Sequence, residues 1–240
     1  MSRWGEPLFI ADWRNVLMIH LEVDGDALQR LTPFEIERFD GRALVSLVAF
    51  TMGRMRPRRG GRLTEWMFRP MATHEFLNVR TYVRHGGEPG IEFLAEWLPN
   101  RWSARLGPRL FGLPYRLGHA EYDHDGLAGE LAGRVRDART GAEFSYRARF
   151  DRADAFVPCP EGSLDEWLME RYTAFTQRDG VWRLFRVWHP PWPQVSAEVT
   201  LLNTSLLEQN WPWLAGARAA GANYSPGFRE VWMGRPHRLR

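Results

Sequence analysis

Apolar and polar residues alternate along several short stretches of this chain. In the stretch NVRTYV, Val79, Thr81 and Val83 fall on one face of an extended backbone, and Arg80 and Tyr82 fall on the other. The later stretch FSYRARF alternates in the same way. A period of two residues is the repeat of a β-strand, so these stretches predict strands with one face turned towards an apolar core.

Turn residues separate the alternating stretches at short intervals, which is the spacing of hairpin connections. Frequent hairpins with few helices favour a mainly β fold of the α+β class. We therefore predict an antiparallel, closed or nearly closed β-barrel with helices packed outside it, as a single domain over residues 1–240. The turns are Asp40-Gly41, residues 85–90, His124-Asp125-Gly126 and Thr140-Gly141.

The clearest helix signal spans residues 162–178. Ser163 stands where a cap is needed, and Glu166 follows three residues later, which is the pattern of a capping box. Apolar residues recur at helical spacing as far as Phe175, so we predict one helix that ends at Asp179-Gly180. Shorter helices are predicted after Asp24 or Asp26 and over residues 101–111, and an exposed loop is predicted over residues 53–62.

The amino-acid composition limits which binding partners and which kinds of chemistry are expected. The 32 basic residues are nearly balanced by 29 acidic ones, so the net charge of +3 implies no nucleic-acid surface. No apolar run approaches the ~18 residues of a membrane span. Cys159 is the only cysteine, so we expect a reducing compartment, the cytoplasm. No phosphate-binding loop is present, and we expect no cofactor.

Every basic residue is an arginine, because the sequence contains no lysine. No side chain can therefore form a Schiff base with a carbonyl substrate. Covalent amine catalysis is excluded unless the N-terminal amine is used.

Arg80 and Tyr82 are the first candidates for a binding site. If their shared face points into a barrel, Arg80 can hold a carboxylate through two parallel hydrogen bonds, and Tyr82 can donate one to an oxygen. In the alternative, this face lies outside and Val79, Thr81 and Val83 fill the core. The alternation alone leaves both interpretations open.

Three other segments contain polar side chains next to aromatic or acidic residues in the sequence. His189 precedes two prolines, which hold it extended, and it either orients a ligand or packs as a structural histidine. Arg171 adjoins Tyr172 on the predicted helix, where the alternative is a core tyrosine beside an arginine paired with an acid. His119 and His124 fall on opposite faces of a strand, a spacing that fits no familiar ligand set, so we predict no metal site.

Five stretches occur in an order that resembles the DUF2071 family of uncharacterised bacterial proteins, which includes the YqjF-like proteins. The resemblance runs from about Trp13 to about Trp232, nearly the whole chain. It implies the acetoacetate-decarboxylase-like fold, a β-barrel with a closed internal cavity. The stretches are RFDGRALVSLVAFTM, NVRTYVRHGGEPGIEFL, FGLPYR, GSLDEWLMERYTAF and HPPWP.

The resemblance also implies where a site would lie. In acetoacetate decarboxylase, a nucleophilic lysine and the lysine that lowers its pKa follow a Gly-x-Pro corner. Here the corner is Gly112-Leu113-Pro114, and Tyr115 and Arg116 stand in place of the two lysines. Glu75 and Glu96 are loose counterparts of that enzyme's pocket carboxylates. Schiff-base decarboxylation should therefore be absent, while recognition of a small carboxylate or oxo compound is kept.

One hypothesis and two alternatives follow. The first is a barrel that binds a small carboxylate or oxo compound, in which Arg80 and Arg116 supply charge and Tyr82 and Tyr115 supply hydrogen bonds. A tyrosine beside an arginine can have a lowered pKa, so Tyr115 and Arg116 are the catalytic candidates for non-covalent, lyase-like or hydratase-like chemistry. The alternatives are a non-catalytic ligand sensor and a protein–protein module. We expect no nucleic-acid or membrane partner; self-association stays open.

Overall fold

The computed structural model describes residues 6–239 and contains, within that range, fifteen strands, five α-helices and two short 3-10 helices. The strands are β1 (Phe9–Val23), β2 (Glu35–Ile36), β3 (Arg38–Phe39), β4 (Arg42–Pro57), β5 (His74–His85), β6 (Glu88–Leu98), β7 (Tyr115–Asp125), β8 (Glu130–Asp137), β9 (Glu143–Arg149), β10 (Thr173–Arg178), β11 (Val181–Trp188), β12 (Val195–Ser196), β13 (Glu198–Asn203), β14 (Arg218–Met233) and β15 (His237–Arg238). The α-helices are α1 (Gly25–Gln29), α2 (Gly61–Phe68), α3 (Arg101–Phe111), α4 (Leu164–Met169) and α5 (Ser205–Asn210), and the 3-10 helices are Arg69–Met71 and Pro212–Gly216. The predicted mainly β composition with few helices is confirmed.

Seven strands pair in a circuit that returns to its first member. The order round this ring is β1, β4, β5, β6, β10, β11, β14 and again β1. The β6–β10 pairing is parallel, and the other six are antiparallel. The β1–β14 pairing sets Met18 opposite Asn223, so residues far apart in the sequence close the circuit.

A second layer of strands covers part of the outside of the ring. β7 pairs in parallel with the end of β6 and then runs antiparallel to β8, and β9 and β13 continue the sheet. Alternate residues of β1 enter two separate apolar cores: Met18 lies in the core inside the ring, and Leu17 and Ile19 lie in the core between the ring and the second layer. A strand between two apolar layers is buried on both faces, which explains the continuous apolar run in β4.

The predicted hairpin turns lie between paired strands, but the helix predicted over residues 162–178 is wrong beyond Met169. Ser163 caps α4 as predicted, since its Oγ accepts a hydrogen bond from the backbone N–H of Glu166. The chain then pairs as β10 with β11, and Phe175 lies opposite Leu184. Asp179-Gly180 is the two-residue turn of this hairpin, with φ of 54° and 71°. Asp-Gly is a preferred pair for a two-residue hairpin turn, and here it outweighs the helical spacing.

The two shorter helices lie where the sequence predicted them. α1 is capped by the side chain of Asp24, and α3 spans residues 101–111 behind a cap at Asn100. The predicted loop over residues 53–62 is wrong at both ends, because β4 continues to Pro57 and α2 begins at Gly61. Among residues 6–239, no helix is both long enough and apolar enough to cross a membrane.

Candidate functional site

A cavity of about 80 Å³ lies inside the ring, and we call it the inner chamber. All seven ring strands contribute to its lining, so it lies where the inward faces of the strands converge. One water molecule needs about 10–15 Å³ of such space, so the volume suits a compound of about five to eight non-hydrogen atoms. The lining residues with polar side-chain atoms are Asn78, Arg80, Glu96, Tyr115, Arg171, Thr173 and His189, together with the indoles of Trp13 and Trp192.

Arg80 brings a positive charge into the inner chamber from β5. Its side chain is only 7% exposed; Nη2 donates a hydrogen bond to the carbonyl of Leu168 over 3.0 Å and lies 3.7 Å from Sδ of Met18. Nε of Arg80 has no hydrogen-bond partner, and Arg80 forms no ion pair within the described residues. A buried charge without a counter-ion is costly, so this site favours an anionic ligand.

Glu96 and Asn78 lie opposite each other on β6 and β5. Oε1 of Glu96 and Oδ1 of Asn78 have no hydrogen-bond partner among the described residues. Burial raises the pKa of Glu96 to about 8, although the positive charge of Arg80 acts in the opposite direction. Glu96 is therefore protonated at neutral pH and does not neutralise Arg80.

The Gly-x-Pro corner places Tyr115 at the inner chamber. Gly112 ends α3 in a left-handed conformation with φ of 75°, and Tyr115 then starts β7 opposite Glu96. The Tyr115 ring packs edge-on against Phe76 with the centroids 5.7 Å apart. The predicted lowering of the Tyr115 pKa is wrong: burial, with the carboxyl group of Glu96 adding to it, raises that pKa well above its usual value.

Arg116 does not share the chamber with Tyr115, because successive residues of a strand point to opposite faces. Nη1 of Arg116 donates a hydrogen bond to Oδ1 of Asn210, and its guanidinium lies 5.1 Å from the ring centroid of Trp97, in the core between ring and second layer. Because of this position, the positive charge of Arg116 does not lower the pKa of Tyr115.

Glu75 and Tyr82 also lie outside the lining of the inner chamber. Glu75 is on the opposite face of β5 from Phe76, where its charge adds to the effect of burial in raising the pKa of Tyr122. Tyr82 is completely buried; its hydroxyl donates to the carbonyl of Leu168 and lies 2.5 Å from Oγ of Ser46. Tyr82 therefore supports the backbone that Arg80 also contacts.

His189 lines the inner chamber from the segment after β11. Its Nδ1 donates a hydrogen bond to the carbonyl of Pro190 over 2.7 Å, which leaves Nε2 as an acceptor, and its ring stacks on Phe228. Burial, assisted by the positive charge of Arg80, lowers the pKa of His189 to about 4. His189 is therefore neutral near pH 7.

Arg171 is a second guanidinium at the chamber, and the sequence analysis did not place it there. Its pairing with an acid is confirmed, since Nη1 lies 2.7 Å from Oε2 of Glu37. Nε donates to the carbonyl of Trp167, and the guanidinium lies 4.3 Å from the centroid of that ring. Nη2 has no partner among the described residues, so a donor remains for a ligand. The one sequence signal for a role of Arg171 was its position just after a helix with a capping residue.

The unpaired polar atoms concentrate at this one cavity. Among the described residues, nine buried side-chain nitrogen and oxygen atoms lack a hydrogen-bond partner, and five of them belong to residues that line the inner chamber. Buried polar groups are normally paired, so this concentration makes the inner chamber the candidate functional site. The five atoms are Asn78 Oδ1, Arg80 Nε, Glu96 Oε1, Arg171 Nη2 and Trp192 Nε1.

Nothing in the described part of the chain resembles a metal centre. Within it, no three His, Cys, Asp or Glu side chains are grouped so as to hold an ion. His124 lies 2.8 Å from the carbonyl of Asn15 and 2.7 Å from the Tyr146 hydroxyl, while His119 is exposed.

Solved structures place the chain in a class of folds. It is similar to an acetoacetate decarboxylase-like enzyme from Sphingomonas wittichii RW1, with a TM-score of 0.65 and 18% identity over 98% of this chain and 94% of that one. It is also similar to the enduracididine biosynthesis enzyme MppR complexed with pyruvate, with a TM-score of 0.66 and 13% identity over 100% of this chain and 93% of that one. The fold is therefore acetoacetate-decarboxylase-like.

The sequence then identifies the family. The pattern of DUF2071, described as an uncharacterized conserved protein, matches residues 10–228, so the chain belongs to the DUF2071 family. A relative is the uncharacterized protein YqjF of Bacillus subtilis strain 168, which is 27% identical over 195 residues, 79% of this chain and 76% of that protein. The resemblance seen in the sequence is confirmed.

Proposed function

We propose that the inner chamber binds a small carboxylate or oxo compound and that Arg80 is the counter-ion of its carboxylate. The observation that carries this proposal is a buried arginine that lines a cavity and has no ion-pair partner within the described residues. In this proposal the seven-strand ring acts as a closed β-barrel that keeps bulk water from the ligand, which strengthens the attraction between the two charges.

The other unpaired atoms would orient the ligand. Nε of Arg80 and Nη2 of Arg171 both carry N–H donors that a carboxylate can accept. Protonated Glu96 donates to a further oxygen, such as a keto group, and Nε2 of His189 accepts from a hydroxyl. Pyruvate, the ligand of the fold neighbour MppR, has about six non-hydrogen atoms and is within the range that the inner chamber accommodates.

The chemistry proposed for this site is non-covalent, because the sequence offers no lysine for a Schiff base. A general acid or base works best when its pKa is near the working pH, and the pKa of Glu96, about 8, meets that condition. Glu96 gives its proton to the keto oxygen of the ligand while Nε2 of His189 accepts a proton from the carbon next to the carbonyl, which gives the enol. The reverse transfers restore the ligand and both side chains. Tyr115, which pairs with Glu96 along the backbone, keeps its proton and donates a hydrogen bond.

Two arginine variants test the binding proposal. Pyruvate, acetate and acetoacetate are titrated by calorimetry into wild type, Arg80→Met and Arg116→Met. Hydrogen bonds to charged groups contribute about 1.5–3 kcal/mol, so Arg80→Met should weaken binding by about 10-fold to 100-fold. Arg116→Met makes the same chemical change outside the chamber and should bind like wild type. Equal losses in both variants, or no binding of any of the three acids to wild type, would contradict the proposal.

Glu96→Gln separates catalysis from binding. This variant keeps a hydrogen-bonding group of similar shape but cannot transfer a proton, so at neutral pH it should bind pyruvate as wild type does. Exchange of the pyruvate methyl protons with D₂O, followed by NMR, measures proton transfer next to the carbonyl. We expect wild type to accelerate the exchange and Glu96→Gln not to. Binding without any exchange in wild type would favour a non-catalytic ligand sensor.

A further inference from the structure

A second cavity of about 80 Å³ adjoins the inner chamber, and we call it the outer chamber. Its lining comes from α2, α3, the 3-10 helix after α2 and several ring strands, and it is apolar except for a few groups such as the Ser103 hydroxyl. Six residues line both cavities, so the two share a wall. These residues are Met52, Phe76, Leu113, Tyr115, Phe185 and Met233.

Phe76 and Tyr115 are the aromatic part of that shared wall. Their rings meet edge-on with centroids 5.7 Å apart. Gly107 on α3 makes room for this arrangement, because a Cβ there would lie 2.2 Å from Cε2 of Tyr115. Gly107 and the following Pro108 are both poor helix formers, yet both lie inside α3. Residues that disfavour the structure they occupy are common at functional sites.

The rest of the outer chamber suits an apolar group of variable shape. Met52, Met55, Met71 and Met233 contribute flexible thioether side chains, which adapt to different apolar surfaces. Leu110 also lines the outer chamber and is 45% exposed. The outer chamber therefore extends from the surface of α3 to the shared wall of the inner chamber.

We propose that the ligand is a carboxylate with an apolar tail, whose carboxylate binds at Arg80 and whose tail crosses the shared wall, beside the Phe76–Tyr115 contact, into the outer chamber. This inference rests on the proposed function and specifies its substrate class. Each chamber accommodates about five to eight non-hydrogen atoms, so a ligand that fills both has about 10 to 16. Medium-chain and aryl-substituted carboxylates and oxo acids fall in this class.

A series of 2-oxo acids from pyruvate to 2-oxooctanoate tests the inference by calorimetry. Burial of one methylene contributes about 0.8 kcal/mol, so each added methylene should tighten binding about fourfold until the outer chamber is full. 2-Octanone has a keto group and a similar chain but no carboxylate, and it should bind at least tenfold more weakly than 2-oxooctanoate.

Substitutions on α3 locate the tail. Ser103 lines the outer chamber only, and its Oγ has no hydrogen-bond partner among the described residues, so Ser103→Met fills space without breaking a bond within that part of the chain. Arg105→Met places the same side chain on the exposed side of α3. We expect Ser103→Met to weaken 2-oxooctanoate binding at least tenfold with pyruvate binding unchanged, and Arg105→Met to change neither. Leu106→Phe, also at the outer chamber alone, should repeat the Ser103→Met result if that variant folds poorly.

The outcomes distinguish the two proposals. Equal affinity along the acid series, with pyruvate binding still dependent on Arg80, would overturn the outer-chamber inference and leave the proposed function standing. The same holds if Ser103→Met and Leu106→Phe both bind 2-oxooctanoate as wild type does. Failure of every acid in the series to bind wild type would overturn both.

Discussion

Arg80 and Glu96, both in the described part of the chain, line the same chamber without forming an ion pair. The positive charge of Arg80 favours ionisation of Glu96, but burial opposes it more strongly, and the Glu96 pKa is about 8. At neutral pH the chamber therefore contains a charged guanidinium and an uncharged carboxyl group. This relationship predicts that the proposed anion binding depends on pH.

We predict that affinity for pyruvate falls as the pH rises through about 8. Ionised Glu96 would compensate the charge of Arg80 and repel the ligand carboxylate. Calorimetric titrations between about pH 6 and pH 10 measure this, with up to about a tenfold loss per pH unit above the pKa of Glu96.

Two glutamate variants show which group is responsible. Glu96→Gln should abolish the fall in affinity, while Glu75→Gln, outside the inner chamber, should keep it. A fall that persists in Glu96→Gln and disappears in Glu75→Gln would show that the wrong carboxyl group has been assigned.

Gly107→Ala should destabilise the protein although alanine is the better helix former. The helix propensity gain is about 1 kcal/mol, but the new Cβ would lie 2.2 Å from the ring of Tyr115, and overpacking typically costs about 1–3 kcal/mol. A Cβ at Gly216 meets no atom within 4 Å, so Gly216→Ala is the matched control and should change stability little. Denaturant unfolding compares them; a Gly107→Ala variant as stable as wild type would contradict the close contact.

Acid should unfold the protein through its buried histidines. Burial lowers the pKa of His20 to about 3 and those of His74 and His189 to about 4, against about 6.5 in the unfolded chain. At these histidines the unfolded state binds more protons below pH 6.5, so their contribution to the free energy of unfolding falls as the pH decreases from about 6.5 towards 4. Glu92 and Glu96, whose pKa values burial raises to about 7 and about 8, offset part of this fall. His74→Phe should reduce this slope by up to about 1.4 kcal/mol per pH unit in denaturant titrations. An unchanged slope would show that His74 does not contribute.

Borohydride should trap no adduct on a side chain. Reduction with acetoacetate fixes a Schiff base only where an amine has condensed with the keto group, and the sequence has no lysine. Intact mass spectrometry before and after treatment tests this, and peptide mapping separates a side-chain adduct from one at the N-terminal amine. A mapped side-chain adduct would refute non-covalent chemistry.

Local features were predictable because local chemistry determines them. The turn at Asp40-Gly41 and the caps at Asp24 and Ser163 need only residues close in sequence, since turn conformation and capping depend on neighbouring backbone groups. The alternation also placed Arg80 and Tyr82 on one face of β5, and Arg80 lines the inner chamber.

Where two local signals conflicted, pairing with another strand determined the secondary structure. The residues after Met169 have helical spacing but lead directly to Asp179-Gly180, and pairing with β11 selects the strand. The position of Arg171 likewise depends on Glu37, which is remote in the sequence and contributes the ion pair.

By itself, the sequence determined the mainly β class, the hairpin turns, the absence of a lysine nucleophile and which residues share a strand face. Only the tertiary structure decided which face is inside, because β5 is buried on both sides and alternation cannot distinguish two cores. Tyr115 lines the inner chamber and Arg116 does not, although the two are adjacent and equally suited to a ligand. That choice depends on the pairing of β7 with the end of β6, which sets Tyr115 opposite Glu96 and Arg116 opposite Trp97 and is a contact between two strands rather than a property of either stretch alone.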